Sequence, residues 1–108
     1  MKLTELEPEF LKRTDTGMRT DVSMAEADGM WFLCPVCFEK NKGPVGTEHI
    51  ICWFYGKVPD NITPWPGRWK PAGTGFADMT FVPPVKGMAV SVKVGEHAHF
   101  CIVNGEIK

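Results

Sequence analysis

The pattern of apolar and polar positions divides the chain near Trp31. Before it, the sequence is polar and weakly patterned, and although Leu3 and Leu6 are followed by Phe10 at helical spacing, Pro8 interrupts any long helix. We therefore expect an N-terminal arm or short helix over residues 1–30. Residues 31–108 are predicted to form a zinc-stabilised β-domain, and the two parts together make one compact domain.

Short β-type runs separated by turn residues fill the rest of the sequence. Residues 49–55 form an apolar run suited to a buried central strand, and 76–82 and 88–94 are further strand candidates. Four Pro and four Gly over 56–75 predict a long loop with extended segments. Asn-Gly at 104–105 predicts a tight hairpin turn after a strand over 97–103, because both residues tolerate positive φ. The pattern predicts a mainly β fold, a small antiparallel sheet domain with a zinc knuckle.

Composition narrows the function classes. The 108 residues carry 12 basic and 13 acidic side chains, a net charge of −1, whereas a dedicated nucleic-acid binder has a basic face. Nucleic acid is therefore an unfavourable partner. The N-terminus lacks the apolar core of a secretory signal, and no apolar run has the length of a membrane span, so we expect a cytoplasmic protein. In that compartment four cysteines indicate metal binding or buried thiols, not disulfides.

Cys34-Pro35-Val36-Cys37 is the strongest chemical motif. Two thiols separated by two residues can point at one ion from a tight turn, as in zinc ribbons and knuckles. The remaining ligands are expected from the segment 95–101, where strand alternation would place His97, His99 and Cys101 on one face. We predict a structural Zn²⁺ held by Cys34, Cys37, His97 and His99, with His99 the preferred third ligand.

Other interpretations of these residues remain open. Cys-x-x-Cys is also a redox motif, but thioredoxin-like pairs begin a helix, and Pro35 in β-rich surroundings argues against that. The cysteines could instead be buried apolar thiols, the simplest interpretation of Cys52. A zinc hydrolase or deaminase-like enzyme would need a general base, for which Glu96 and Glu48 are the candidates; the zinc-deaminase motif is absent. Two thiolates weaken the Lewis acidity of zinc, so a structural ion and a non-enzymatic protein are favoured.

The segment Pro64-Trp65-Pro66-Gly67-Arg68-Trp69 places two large rings beside a guanidinium in a loop. Trp and Arg dominate protein-interaction hot spots, so Trp65, Arg68 and Trp69 are candidate partner-binding residues. The alternative is that the rings cover the sheet where a small domain lacks helices.

Over most of its length the chain resembles an uncharacterised family of small phage and prophage proteins, filed as a domain of unknown function and sometimes labelled ammonia monooxygenase. The resemblance rests on Phe32 to Cys37, Pro66-Gly67-Arg68-Trp69, Gly73-Thr74-Gly75 with Asp78-Met79-Thr80, and His99-Phe100 before Val103-Asn104-Gly105. It implies a phage-encoded accessory protein with a metal site and no established reaction. The family pattern has a Cys where this chain has Glu96, which leaves the fourth ligand open among His97, Cys101 and Glu96. We expect a non-enzymatic interaction module whose partner is a host or phage protein.

Overall fold

A four-stranded antiparallel sheet forms the centre of the fold. The computed structural model describes residues 1–65 and 67–108. A 3₁₀ helix over Leu3–Leu6 is followed by β1 (Glu9–Thr14), β2 (Gly17–Arg19), β3 (Gly29–Leu33), helix α1 (Pro35–Asn41) and β4 (His49–Trp53). The sheet order is β2-β1-β3-β4, so β4 is an end strand.

The remaining strands of the described chain form three two-stranded antiparallel ribbons. β5 (Lys70–Ala72) pairs with β6 (Thr80–Val82), and β7 (Val92–Val94) pairs with β8 (Ala98–Phe100). β9 (Ile102–Val103) and β10 (Glu106–Ile107) close the Asn104-Gly105 hairpin, where both turn residues have positive φ as predicted.

The core lies on one face of the central sheet. Alternation along the paired strands turns Met30 and Phe32 of β3, and Ile50 and Cys52 of β4, toward the interior, where all four are buried. The 3₁₀ helix and the ribbons cover this face, with Phe100 of β8 lying edge-on to Phe32 at 6.0 Å between ring centroids. The ribbon carrying β8 is thus packed against the central sheet.

The structure confirms the predicted mainly β fold of small antiparallel sheets with one short helix, but several elements differ from the expectation. Residues 1–30 contain β1 and β2, which were not predicted. β1 pairs with β3, which lies far away in sequence, and Leu11 of β1 is buried, so no local pattern indicated this strand. The expected strand over 97–103 is divided: a turn occupies 95–97, and β8 and β9 follow separately. Strands β6 and β7 are shorter than their candidate runs.

The described residues include no helix that is both long and apolar enough to cross a membrane.

Gly29 permits the close pairing of β3 with β4. A Cβ at this position would lie 2.7 Å from both the Cys52 carbonyl oxygen and Cε3 of Trp53. We expect Gly29→Ala to lower the free energy of unfolding by about 1–3 kcal/mol through overpacking, measured by urea denaturation. Gly75→Ala is the matched control, since its Cβ would contact nothing within 4 Å. Equal stability of the two variants would contradict this account of the pairing.

Candidate metal centre

Cys34 is placed by the end of the β3–β4 ladder. Its backbone N–H donates to the Glu48 carbonyl at 2.8 Å, continuing the strand pairing one step beyond Leu33. The residue then becomes the N-cap of α1, with its side chain 1% exposed. A strand and a helix therefore fix the direction of this thiol from both sides.

Cys37 lies in the first turn of α1, not in the tight turn that the sequence suggested. Pro35 occupies the first helical turn, where its fixed φ suits the helix and its missing N–H costs no hydrogen bond. The Cys37 N–H donates to the Cys34 sulfur at 3.5 Å, the usual capping arrangement. Pro35 was expected to argue against a helix start at this motif, and that expectation was wrong because proline suits the first helical turn.

His97 reaches the two cysteines from the turn between β7 and β8. Its N–H donates to the Val94 carbonyl at 2.9 Å, and Gly95 adopts the positive φ of +54° that this short turn requires. The imidazole Nε2 lies 3.2 Å from the Cys34 sulfur and 2.9 Å from the Cys37 sulfur. His97 is separated in sequence from Cys34 by 63 positions and from Cys37 by 60, yet the three side chains converge on one point.

These three side chains form a group that could hold a metal ion. One ligand atom from each lies within 4.8 Å of the others. Zinc in tetrahedral coordination, about 2.3 Å from sulfur and about 2.0 Å from nitrogen, would place sulfur and nitrogen about 3.5 Å apart. Small side-chain movements of a few tenths of an ångström would therefore accommodate an ion.

The environment of Cys34 favours its neutral form in the absence of a cation. Burial raises the pKa of this thiol, and the N–H groups of the helix start offset the effect only partly. A metal ion removes that penalty because it binds the thiolate directly. Cys52, fully buried under the central sheet, has a pKa raised well above its ordinary value by burial and remains outside the group.

The other candidate ligands lie elsewhere. His99 is in the middle of β8, opposite Lys93, and its side chain is exposed while Ala98 and Phe100 point into the core. Glu96 and Cys101 are also outside the three-residue group. A place for His99 among the ligands stays a prediction from the sequence alone, and the geometry favours His97 instead. His99 was expected to be the third ligand because residues 97–103 were predicted to form one strand; Gly95 was the available signal for a turn.

A groove of about 390 Å³, which we call the metal groove, lies beside the group. Its walls include Cys37 and His97 together with Glu48 and Lys40. Among residues 1–65 and 67–108, no fourth Cys, His, Asp or Glu joins the group. Three protein ligands beside a groove leave a coordination position that water or another ligand could fill.

The three candidate partner-binding residues have different environments. Trp69 is fully buried and stacks on Phe81 at 4.8 Å between ring centroids. Arg68 is 3% exposed, and its guanidinium donates to the carbonyls of Ile62, Pro64 and Gly67. Trp65 is half exposed, with the Arg68 guanidinium carbon 3.7 Å from its ring centroid. The exposed aromatic surface among these three is therefore that of Trp65.

Comparisons with protein-family models, with curated proteins and with solved structures found no match.

The geometry distinguishes His97 from His99 as a ligand. We expect His97→Ala to weaken Co²⁺ binding at least about a hundredfold, because loss of a direct ligand should cost at least as much as loss of an outer-shell contact. His99→Ala, a change of the same type two residues away, should bind as the native chain does. Titration followed by the thiolate–cobalt absorption band measures both. Stronger loss in His99→Ala than in His97→Ala would contradict the observed geometry.

Proposed function

We propose that this chain is a small accessory protein of the phage and prophage type, built around a structural zinc ion and acting as a non-enzymatic protein-interaction module. The observation that carries the proposal is the convergence of Cys34, Cys37 and His97. Two thiolates and an imidazole suit zinc better than the hard cations calcium or magnesium, which prefer oxygen ligands. All four cysteines are free, which suits a reducing compartment such as the host cytoplasm.

A structural role follows from what the ion would connect. The β7–β8 ribbon has three residues in each strand and pairs with no further strand among the described residues. Short isolated ribbons have little stability of their own. An ion bound to His97 would tie the turn of this ribbon to the start of α1. Because it would bind the folded chain and not the unfolded one, its binding free energy would add to the stability of the fold.

Metal removal tests the structural role. We expect about one zinc per chain by elemental analysis of untagged protein, and a fall in Tm of more than about 10 °C on chelation, because metal binding contributes directly to folding. His97→Ala should melt at the temperature of chelated native protein and respond little to chelator, whereas His99→Ala should retain the full response. A native chain without zinc, or a Tm unaffected by its removal, would refute the proposal.

The interaction role draws on the exposed ring of Trp65. Aromatic rings fixed at a surface contribute binding energy with little loss of side-chain entropy, and Arg68 fixes this one from behind. Buried Trp69 and Arg68 support the surface instead of contacting a partner directly. The partner class is a host or phage protein, since the near-neutral net charge disfavours nucleic acid.

A second candidate, a zinc hydrolase, is favoured by one specific observation: Glu48 shares the metal groove with Cys37 and His97. With three protein ligands, zinc could bind a water molecule, and a nearby carboxylate could act as its general base. Glu96, the other base named from the sequence, is not among the residues lining this groove.

The hydrolase candidate predicts zinc-dependent cleavage of an activated ester such as 4-nitrophenyl acetate. Glu48→Gln should then lower kcat about a hundredfold or more without loss of zinc, because proton transfer is impaired while the ligands remain. Glu96→Gln is the matched control and should be fully active. Absence of zinc-dependent turnover in the native chain would eliminate this candidate and leave the interaction module.

A further inference from the structure

A second groove, distinct from the metal groove, runs along the outer edge of β4. Its cavity volume is about 310 Å³, and we call it the edge groove. One wall is residues 49–51 of β4, another is Pro64 and Trp65, and the third is residues 93–95 at the end of β7 and the start of its turn. The groove therefore lies between a sheet edge and a neighbouring ribbon.

Some backbone hydrogen-bonding groups of β4 are directed away from β3, at residues that also line the edge groove. The Cys34 N–H donates to Glu48, and the Phe54 N–H donates to Asp28, which identifies 48, 50, 52 and 54 as the positions bonded toward β3. Antiparallel alternation then directs the N–H and C=O groups of His49 and Ile51 outward. Within the described chain no other backbone segment pairs with these groups. A peptide strand could pair with them.

The side chains of the edge groove define the chemistry of such a peptide. Ile51, Val94 and Trp65 supply apolar surface, while Lys93 supplies a positive charge. No Asp or Glu is among the lining residues, and Glu48, the sequence neighbour of His49, lines the metal groove instead. The complementary ligand therefore combines large apolar side chains with carboxylates.

Two walls of the edge groove are held in place before any ligand arrives. Arg68 supports the Trp65 ring, and its own donors are bound to loop carbonyls, the shortest contact being 2.6 Å to Ile62. His49 stacks on Trp31 at 4.4 Å between ring centroids, which holds the β4 wall of the edge groove in place. Preordered walls lower the entropy cost of binding.

We infer that the edge groove binds an extended acidic–apolar peptide segment of a protein partner, which adds to β4 as a fifth strand. This inference rests on the proposed role as an interaction module and names the chemistry of its partner. The turn that carries His97 begins at Gly95 in the groove wall, so zinc bound there would also steady that wall.

The test uses the zinc-loaded full chain and a fluorescein-labelled hexapeptide of alternating Asp and Leu, with binding followed by fluorescence anisotropy at low salt. We expect saturable binding. The same peptide with alternate backbone amides N-methylated should bind at least about tenfold more weakly, because it cannot complete the strand pairing. A peptide with Lys in place of Asp should also bind more weakly. Equal binding of the native and N-methylated peptides would overturn strand addition, and equal binding of acidic and basic peptides would overturn the charge assignment.

Protein variants locate the site. Lys93→Glu should weaken binding of the acidic peptide about fivefold, whereas Lys86→Glu, an exposed lysine outside the edge groove, should leave it unchanged. Trp65→Ala should weaken binding further, with circular dichroism checking its fold; Lys93→Glu keeps the site testable if that variant unfolds. Equal effects of Lys93→Glu and Lys86→Glu would place the peptide elsewhere and overturn the inference.

Failure of this inference and failure of the proposed function are distinguishable on the same samples. Zinc-loaded protein with a chelation-sensitive Tm that binds none of the peptides would refute the edge groove alone. Peptide binding by protein whose Tm is insensitive to chelation would refute the structural zinc and support the groove. Self-association that sedimentation detects, that Lys93→Glu abolishes and that occurs in protein binding none of the three peptides would identify a second copy as the occupant and overturn the partner assignment.

Discussion

The antiparallel pairing of β3 with β4 is the constraint on which the rest of the structure depends. Five residue pairs, from Gly29 with Trp53 to Leu33 with His49, align the two strands whose inner side chains form the core. The same ladder ends in the bond from Cys34 to Glu48, which fixes where α1 begins and where the first thiol points. At its outer side it leaves the edge of β4 available. The core, the candidate metal centre and the edge groove therefore share one register, and a slip of one residue would displace all three.

The β7–β8 ribbon links the two surfaces that carry the functional proposals. Its turn brings His97 to the cysteines, while Lys93 and Val94 just before the turn line the edge groove. Phe100 at the other end of the ribbon packs on Phe32 in the core. A small ribbon anchored at one end by aromatic packing has limited rigidity of its own, so a metal ion bound at its turn would also stiffen the ribbon.

Trp65 and Trp69 belong to one sequence motif but have different environments in the structure. The rings are four residues apart, yet Trp69 is buried against Phe81 and Trp65 projects from the surface. Arg68 lies between them and donates to three loop carbonyls, which would otherwise lack these hydrogen bonds. Cover for the core is therefore the role of Trp69, whereas a partner-binding role for Trp65 stays a prediction.

Local sequence patterns were enough to predict the mainly β fold, the Asn104-Gly105 hairpin and the pairing of Cys34 with Cys37 in a possible metal site, because alternation, turn chemistry and ligand spacing are local properties. Only the tertiary structure decided that β1 joins the central sheet, since the partner of Leu11 lies across a long separation in sequence. It also placed His97 in the group with His99 outside it, because a turn beginning at Gly95 rotates one histidine toward the helix start and leaves the other on an exposed strand. Burial of Trp69 and exposure of Trp65 were likewise decided by packing, which depends on residues far away in the chain and on no local pattern.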